Sequence, residues 1–154
     1  MLDYNCLFCK IAKGEVTSWI IWESDLHIAF LTPYANTPGF TVVATKQHQN
    51  SDIFTLSTSE LCSLIGAAQI VSQLINSRLN VKRTALIAEG MGINHTHIKL
   101  VPLYGIPEGD WIPINSTLEV TFTTYPGYVS SHDGPRVKDS ELDRIAEIIR
   151  RGTI

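Results

Sequence analysis

No stretch of this chain stays apolar for the roughly 18 consecutive residues that mark a membrane-spanning helix. The opening residues, Met1-Leu2-Asp3-Tyr4-Asn5, carry no basic region followed by an apolar run, so no secretory leader is expected. Cysteine is scarce. Three in 154 residues cannot pair evenly, which argues against a disulfide framework and for a reducing, cytoplasmic setting. Charge of one sign is also lacking: the formal net charge is −3, which argues against broad nucleic-acid binding, and no sequence-specific nucleic-acid partner is expected either. There is no internal repeat and no low-complexity segment. What remains is one domain with an ordinary hydrophobic fraction of 44%.

The most informative stretch is Glu89-Gly90-Met91-Gly92-Ile93-Asn94-His95-Thr96-His97-Ile98-Lys99-Leu100-Val101-Pro102. Two glycines make a turn and a strand-like run follows. Side chains on a strand repeat every second position, so His95, His97, Lys99 and Val101 share one face, with Thr96, Ile98 and Leu100 on the other. Five histidines in the chain allow one such pair by chance. Three ionisable groups in a row are more than chance packing needs, because a structural strand would carry Thr or Val there. Such a row can bind an anion, hold a metal or supply a nucleophile.

Cys6-Leu7-Phe8-Cys9 is a C-x-x-C pair, able to chelate one metal or to act as a redox dithiol. The redox reading wants a strand before the motif, and five preceding residues leave no room for it. A zinc reading needs two further ligands. No second C-x-x-C exists, so histidines must supply them, and His48 with either His95 or His97 is available. The plain alternative is two buried small residues.

Residues 19–22 and 27–31 read as a hairpin closed at Glu23-Ser24-Asp25, with His27 as a solvated strand residue. Residues 33–39 are a loop, and 40–45, rich in β-branched side chains, a third strand. Residues 57–80 form a long helix: Ser57 with Glu60 is a capping box, and Leu61, Leu64, Ile65, Ala68, Val71, Ile75 and Leu79 form its buried stripe. Cys62 beside the stripe reads as a packing residue. Residues 84–88 and 95–103 are further strands, and 117–124 another. His132 reads as exposed. A final helix, capped by Asp139 or Ser140, buries Leu142, Ile145, Ala146 and Ile149.

With these residues in place, the chain resembles the histidine-triad (HIT) family. That family's His-φ-His-φ-His-φ-φ signature (φ apolar) stands here as His95-Thr96-His97-Ile98-Lys99-Leu100-Val101, followed by Pro102. Cys6 to Glu15 resembles the start of zinc-containing members, and Ala29-Phe30-Leu31, Pro38-Gly39 and Lys46-Gln47-His48 fall at the family's spacing. The likeness covers residues 6 to about 104, the core, and thins over the C-terminal extension 105–154. It implies an α+β fold of about five antiparallel strands, one long helix and a C-terminal helix, in a homodimer. It implies chemistry at the α-phosphate of a nucleotide, with His97 as nucleophile and Lys99 beside it. It implies a structural Zn2+ on Cys6, Cys9, His48 and His95; the competing choice of His97 as ligand would remove the nucleophile. It assigns Ile28 and Phe30 to the base, Thr32 to the ribose, and Gly90, Gly92 and Asn94 to the nucleotide-binding turn.

The family pattern breaks in several places. Lys99 replaces the third histidine, and a charged lysine cannot accept a proton. Thr32 stands where Asp or Asn commonly holds the ribose. Met91-Gly92 replaces a Gln-Ser or Gln-Thr pair, leaving backbone N–H groups to meet phosphate, and Ala88-Glu89-Gly90 covers a position often held by Asn. The expected function is a hydrolase or nucleotidyl transferase for a dinucleoside polyphosphate or nucleoside phosphoramidate. The rivals are a nucleotide-binding module with little catalysis and a small zinc-stabilised interaction protein.

Overall fold

The computed structural model describes residues 5–106 and 134–151. The elements run α1 (Leu7–Ala12), β1 (Trp19–Glu23), β2 (His27–Leu31), β3 (Thr41–Thr45), a single 3-10 turn (Ile53–Thr55), α2 (Thr58–Leu79), β4 (Arg83–Ile87), β5 (His97–Leu103) and α3 (Asp139–Arg150). The strands form one antiparallel sheet in the order β1-β2-β3-β5-β4. The expected strand at 117–124, together with Trp111, Tyr125, Tyr128 and His132, lies outside the described residues.

Strand alternation divides the apolar side chains between two faces. Ala29, Leu31, Val43, Ile98 and Leu100 point to one face, where α2 and α3 cover them with Leu64, Val71, Ile75, Leu142, Ile145 and Ile149. Ile28, Phe30, Val42 and Ala44 point to the other, where the short α1 packs Cys6, Phe8, Cys9 and Ile11 against them. β2 and β3 are buried at all five positions each, as strands covered on both faces must be.

The capping box forms as the sequence predicts: the Ser57 hydroxyl accepts from Glu60 N–H, and the Glu60 carboxylate accepts from Ser57 N–H. The helix stops at Asn80, which takes the left-handed conformation at φ 52°. Several expectations are corrected. Residues 7–12, to which the sequence pattern assigns no element, are helical, so C-x-x-C stands at a helix start. Leu64, Ala68, Val71 and Ile75 of the expected stripe are buried and Leu61 and Leu79 pack beside them, but Ile65 is 40% exposed, with Ala67 buried against the sheet, and Cys62 is exposed. His27 is buried under the β1–β2 turn, not solvated. The N-cap of α3 is Lys138, without a side-chain cap, while Asp139 opens the helix.

Candidate functional site

Two neighbouring constellations sit on the α1 face of the sheet. The first is built by Cys6 at the N-cap of α1, Cys9 one turn on, His48 after β3, and His95 just before β5. Because Cys6 and Cys9 are three apart across a helix start, their side chains lie on one side of it. The Cys6 Sγ lies 3.3 Å from His95 Nδ1, and Cys9 Sγ lies 3.5 Å from His48 Nδ1 and 3.6 Å from His95 Nδ1. All four donor atoms lie within 4.8 Å of one another. Ordinary zinc bond lengths put sulfur and nitrogen ligands of a tetrahedron about 3.5 Å apart, so the donor set fits the ion.

The tautomer also fits. His95 Nε2 lies 2.7 Å from the Thr45 carbonyl oxygen, which can only accept, so Nε2 carries the proton. Nδ1 then presents a lone pair to the cluster, the arrangement in which a hydrogen bond beyond the ligands orients a metal-bound imidazole. Burial lowers the His95 pKa below the ordinary histidine value, against the upward pull of the Thr45 carbonyl. A neutral ring is what coordination requires.

The second constellation is His97 and its cavity. His97 is the first residue of β5, paired across to Ala44, and is 3% exposed. Its Nδ1 lies 2.7 Å from the His95 carbonyl oxygen, so by the same logic Nδ1 donates and Nε2 keeps the free lone pair. Phe8 packs edge-on against it at 5.3 Å between centroids. Burial holds the His97 pKa below the ordinary value; the His95 carbonyl opposes this, Lys99 adds to it, and Glu89 opposes it. Lys99 stands two residues along on the same face and is paired with Glu89, both side chains largely buried.

His97 and Lys99 open into a cavity of about 450 Å3 that also meets Phe30, Thr32, Gly92 and Arg136. That volume is in the range of small-molecule sites. Among the described residues no carboxylate lines it. Of the residues expected from the sequence, Phe30, Thr32, Gly92, His97 and Lys99 line the cavity, while Ile28, Gly90 and Asn94 do not. Ile28 is buried behind Phe30's neighbours in the α1 cluster. Asn94 accepts the Ser51 N–H at 3.1 Å, and Gly90 (φ 69°) lies so close that a Cβ there would stand 2.8 Å from the Ser51 carbonyl oxygen. Both therefore tie the glycine turn to the segment after β3. Thr32 Oγ1 accepts from Tyr34 N–H at 3.3 Å.

Sequence reasoning missed Glu89 as the partner of Lys99, and it missed Trp19, Tyr34 and Arg136 in the cavity wall. The first was within reach, since Ile87 pairs with Lys99 across β4 and β5. Arg136 was not, because no local pattern links it to β2.

No protein-family model matches the chain. It is 31% identical over 107 residues to an uncharacterized HIT-like protein of Borreliella burgdorferi, covering 66% of this chain and 77% of that one. It is 25% identical over 99 residues to an adenosine 5'-monophosphoramidase of Schizosaccharomyces pombe, covering 64% and 74%. Among solved structures, a hypothetical histidine triad nucleotide-binding protein from Sulfolobus tokodaii superposes with TM-score 0.71 at 22% identity, over 95% of this chain and 90% of that one. A Zn-bound histidine triad family protein from Mycobacterium smegmatis superposes with TM-score 0.67 at 18% identity, over 96% and 91%. At these identities the two structures bear on the fold alone.

Proposed function

Because this chain belongs to the histidine-triad (HIT) family, we propose that it is a nucleotide hydrolase or nucleotidyl transferase acting at the α-phosphate through His97. The observation that carries the reading is the tautomer of His97: Nδ1–H is committed to the His95 carbonyl, which leaves the Nε2 lone pair free on a residue lining a cavity that, among the described residues, has no carboxylate in its wall. In the proposed step the Nε2 pair attacks the α-phosphorus. A P–N bond forms, the bond to the leaving group breaks, and the leaving group departs with that electron pair and takes a proton. Water then attacks the same phosphorus, the P–N pair returns to Nε2, and a nucleoside monophosphate leaves. Splitting one displacement into two is the advantage of covalent catalysis, and a neutral imidazole needs no strong base to begin it.

The chain's other residues have definable parts. Lys99, held by Glu89, supplies positive charge where the phosphoryl oxygens gain negative charge. In this reading the backbone N–H of Gly92 meets the same oxygens and Phe30 and Thr32 take the nucleoside, supported by all three lining the cavity with His97. Asn94 and Gly90 serve by fixing the glycine turn. A zinc ion on Cys6, Cys9, His48 and His95 would cross-link α1 to the start of β5; with four protein ligands it has no open position, so its part is structural. The clustered donor atoms of Cys6, Cys9, His48 and His95 support the zinc half of the reading, and the similarity to the yeast phosphoramidase supports the nucleotide half. The proposed assembly is a homodimer, supported by Ile65, Ile70 and Leu86, all at least 40% exposed, and by the edge of β4, beyond which no strand lies among the described residues.

One observation favours a rival. Lys99 is already neutralised by Glu89, as a site that binds nucleotides without turning them over would tolerate. Steady-state turnover of adenosine phosphoramidate and diadenosine tetraphosphate separates the two. The enzyme reading expects measurable AMP release by the wild type and a loss of at least about a thousandfold in His97→Ala, typical for removing a nucleophile. Tight AMP binding with no release from either substrate would establish the binding module instead.

A further inference from the structure

Gly134 N–H donates to the Tyr34 carbonyl at 2.9 Å, and Val137 N–H donates to the Pro33 carbonyl at 2.8 Å. These two bonds dock the segment before α3 onto the chain leaving β2. The fit is close: a Cβ on Gly134 would stand 2.4 Å from the Ala35 carbonyl oxygen. Arg136 lies between the two bonds and lines the cavity that contains His97. Its guanidinium donates to the Asp139 carboxylate at 2.7 Å and to the Val137 carbonyl at 3.2 Å, both on its own segment. A guanidinium has five N–H donors, so these two partners leave it able to hold an anion. The pair with Asp139 is exposed and therefore weak.

The sheet register fixes how far Thr32, which lines the same cavity as Arg136, stands from the nucleophile. His97 pairs with Ala44 on β3, and Thr32 bonds to Phe40, four residues back along the same neighbour. Four residues of strand and two interstrand spacings separate Thr32 from His97 by roughly 17 Å between Cα atoms. Arg136 reaches in from beside Thr32, and His97 from the other end. The cavity of about 450 Å3 lies between them. With Lys99 beside His97, the cavity has a cation towards each end and, among the described residues, no carboxylate in its wall.

We propose that Arg136 binds a second phosphate on the same nucleotide, so that the preferred ligands carry one phosphate at His97 and another at Arg136. This rests on the reading of His97 as the residue that attacks the α-phosphate. Arginine suits the task because its planar fork takes a phosphate in two parallel hydrogen bonds. The second phosphate can come from a polyphosphate chain or from a phosphorylated ribose hydroxyl, since both place a dianion within the cavity. Arg136 is then a specificity residue and takes no part in bond making.

Calorimetric binding in a His97→Ala background, which removes turnover, tests this with three probes: AMP, ADP and adenosine 3',5'-bisphosphate. At least one of the two diphosphorylated probes is expected to bind about tenfold or more tightly than AMP. Arg136→Gln should erase that advantage while leaving AMP within about twofold, and Arg136→Lys should restore part of it. The probe that shows the advantage identifies the source of the second phosphate. AMP binding with no advantage for either probe, or an advantage that survives Arg136→Gln, overturns the proposal and leaves the His97 reading standing. Failure of all three probes to bind overturns both.

Discussion

His27 and Lys99 show at the scale of single residues what burial does to charge. His27 is 5% exposed and its pKa is lowered by desolvation alone. The folded state therefore binds fewer protons at this site than the unfolded chain. Its contribution to stability is fully present above the ordinary histidine value near 6.5 and is lost as pH falls into the window below it. Zinc-saturated wild type should lose more of its urea midpoint between pH 7.5 and 5.0 than His27→Gln does; equal losses would contradict this. Lys99 is paired with Glu89 inside the protein, so Glu89→Gln leaves a largely buried lysine without this partner. The expected result is a stability loss of about 1–2 kcal/mol, less than for a fully buried pair, and a lower kcat with the substrate's KM little changed. Had Glu89 no role in holding the cation, both values would match wild type.

The elements were legible wherever a periodic pattern was long and its caps were local. Ser57 and Glu60 mark the start of α2 within four residues, and Ser57→Ala is expected to cost about 1 kcal/mol by thermal or chemical unfolding. Leu64 is fully buried against the sheet, and Leu64→Ala should cost about 2–5 kcal/mol. Within the stripe Ile65 alone was misplaced, however. Ile65 looked as apolar as Leu64, and only the position of the sheet decides which of two adjacent residues faces it. His27 was misplaced for a similar reason: its own strand does not reveal that α2 passes over the β1–β2 turn. The helix at residues 7–12 is short enough that its pattern carries no signal, and it is packing of Phe8 and Ile11 on β2 and β3 that holds it. That same packing brings Cys6 and Cys9 to His95. Cys9→Ser is accordingly expected to abolish stoichiometric zinc by elemental analysis and to lower the Tm by roughly 10 °C, the equivalent of a few kcal/mol for a chain of this size. Zinc-free wild-type protein with an unchanged Tm would refute the structural role.

At the scale of the whole molecule, the candidate site draws on α1, the chain after β2, the glycine turn before β5, β5 itself and the segment before α3. The first four were readable because the resemblance supplied their spacing. Arg136 was not, because its place depends on two backbone bonds to Pro33 and Tyr34 that no sequence pattern announces. Ile65, Ile70 and Leu86 are exposed, and among the described residues no strand lies beyond β4. Sedimentation at micromolar concentration is expected to give a dimer, and Leu86→Glu with Ile70→Glu to give a folded monomer. A wild-type monomer would contradict the proposed assembly.

The central claim is that His97 Nε2 becomes covalently attached to the nucleotide. Rapid-quench intact-protein mass spectrometry, with adenosine phosphoramidate and diadenosine tetraphosphate mixed against wild type and His97→Ala, tests it most directly. The account predicts a transient mass increase of one adenylyl group on wild type, mapping to His97 after digestion and absent from the variant. Turnover of either substrate with the adduct on another residue, or with equal rates in His97→Ala, would contradict it.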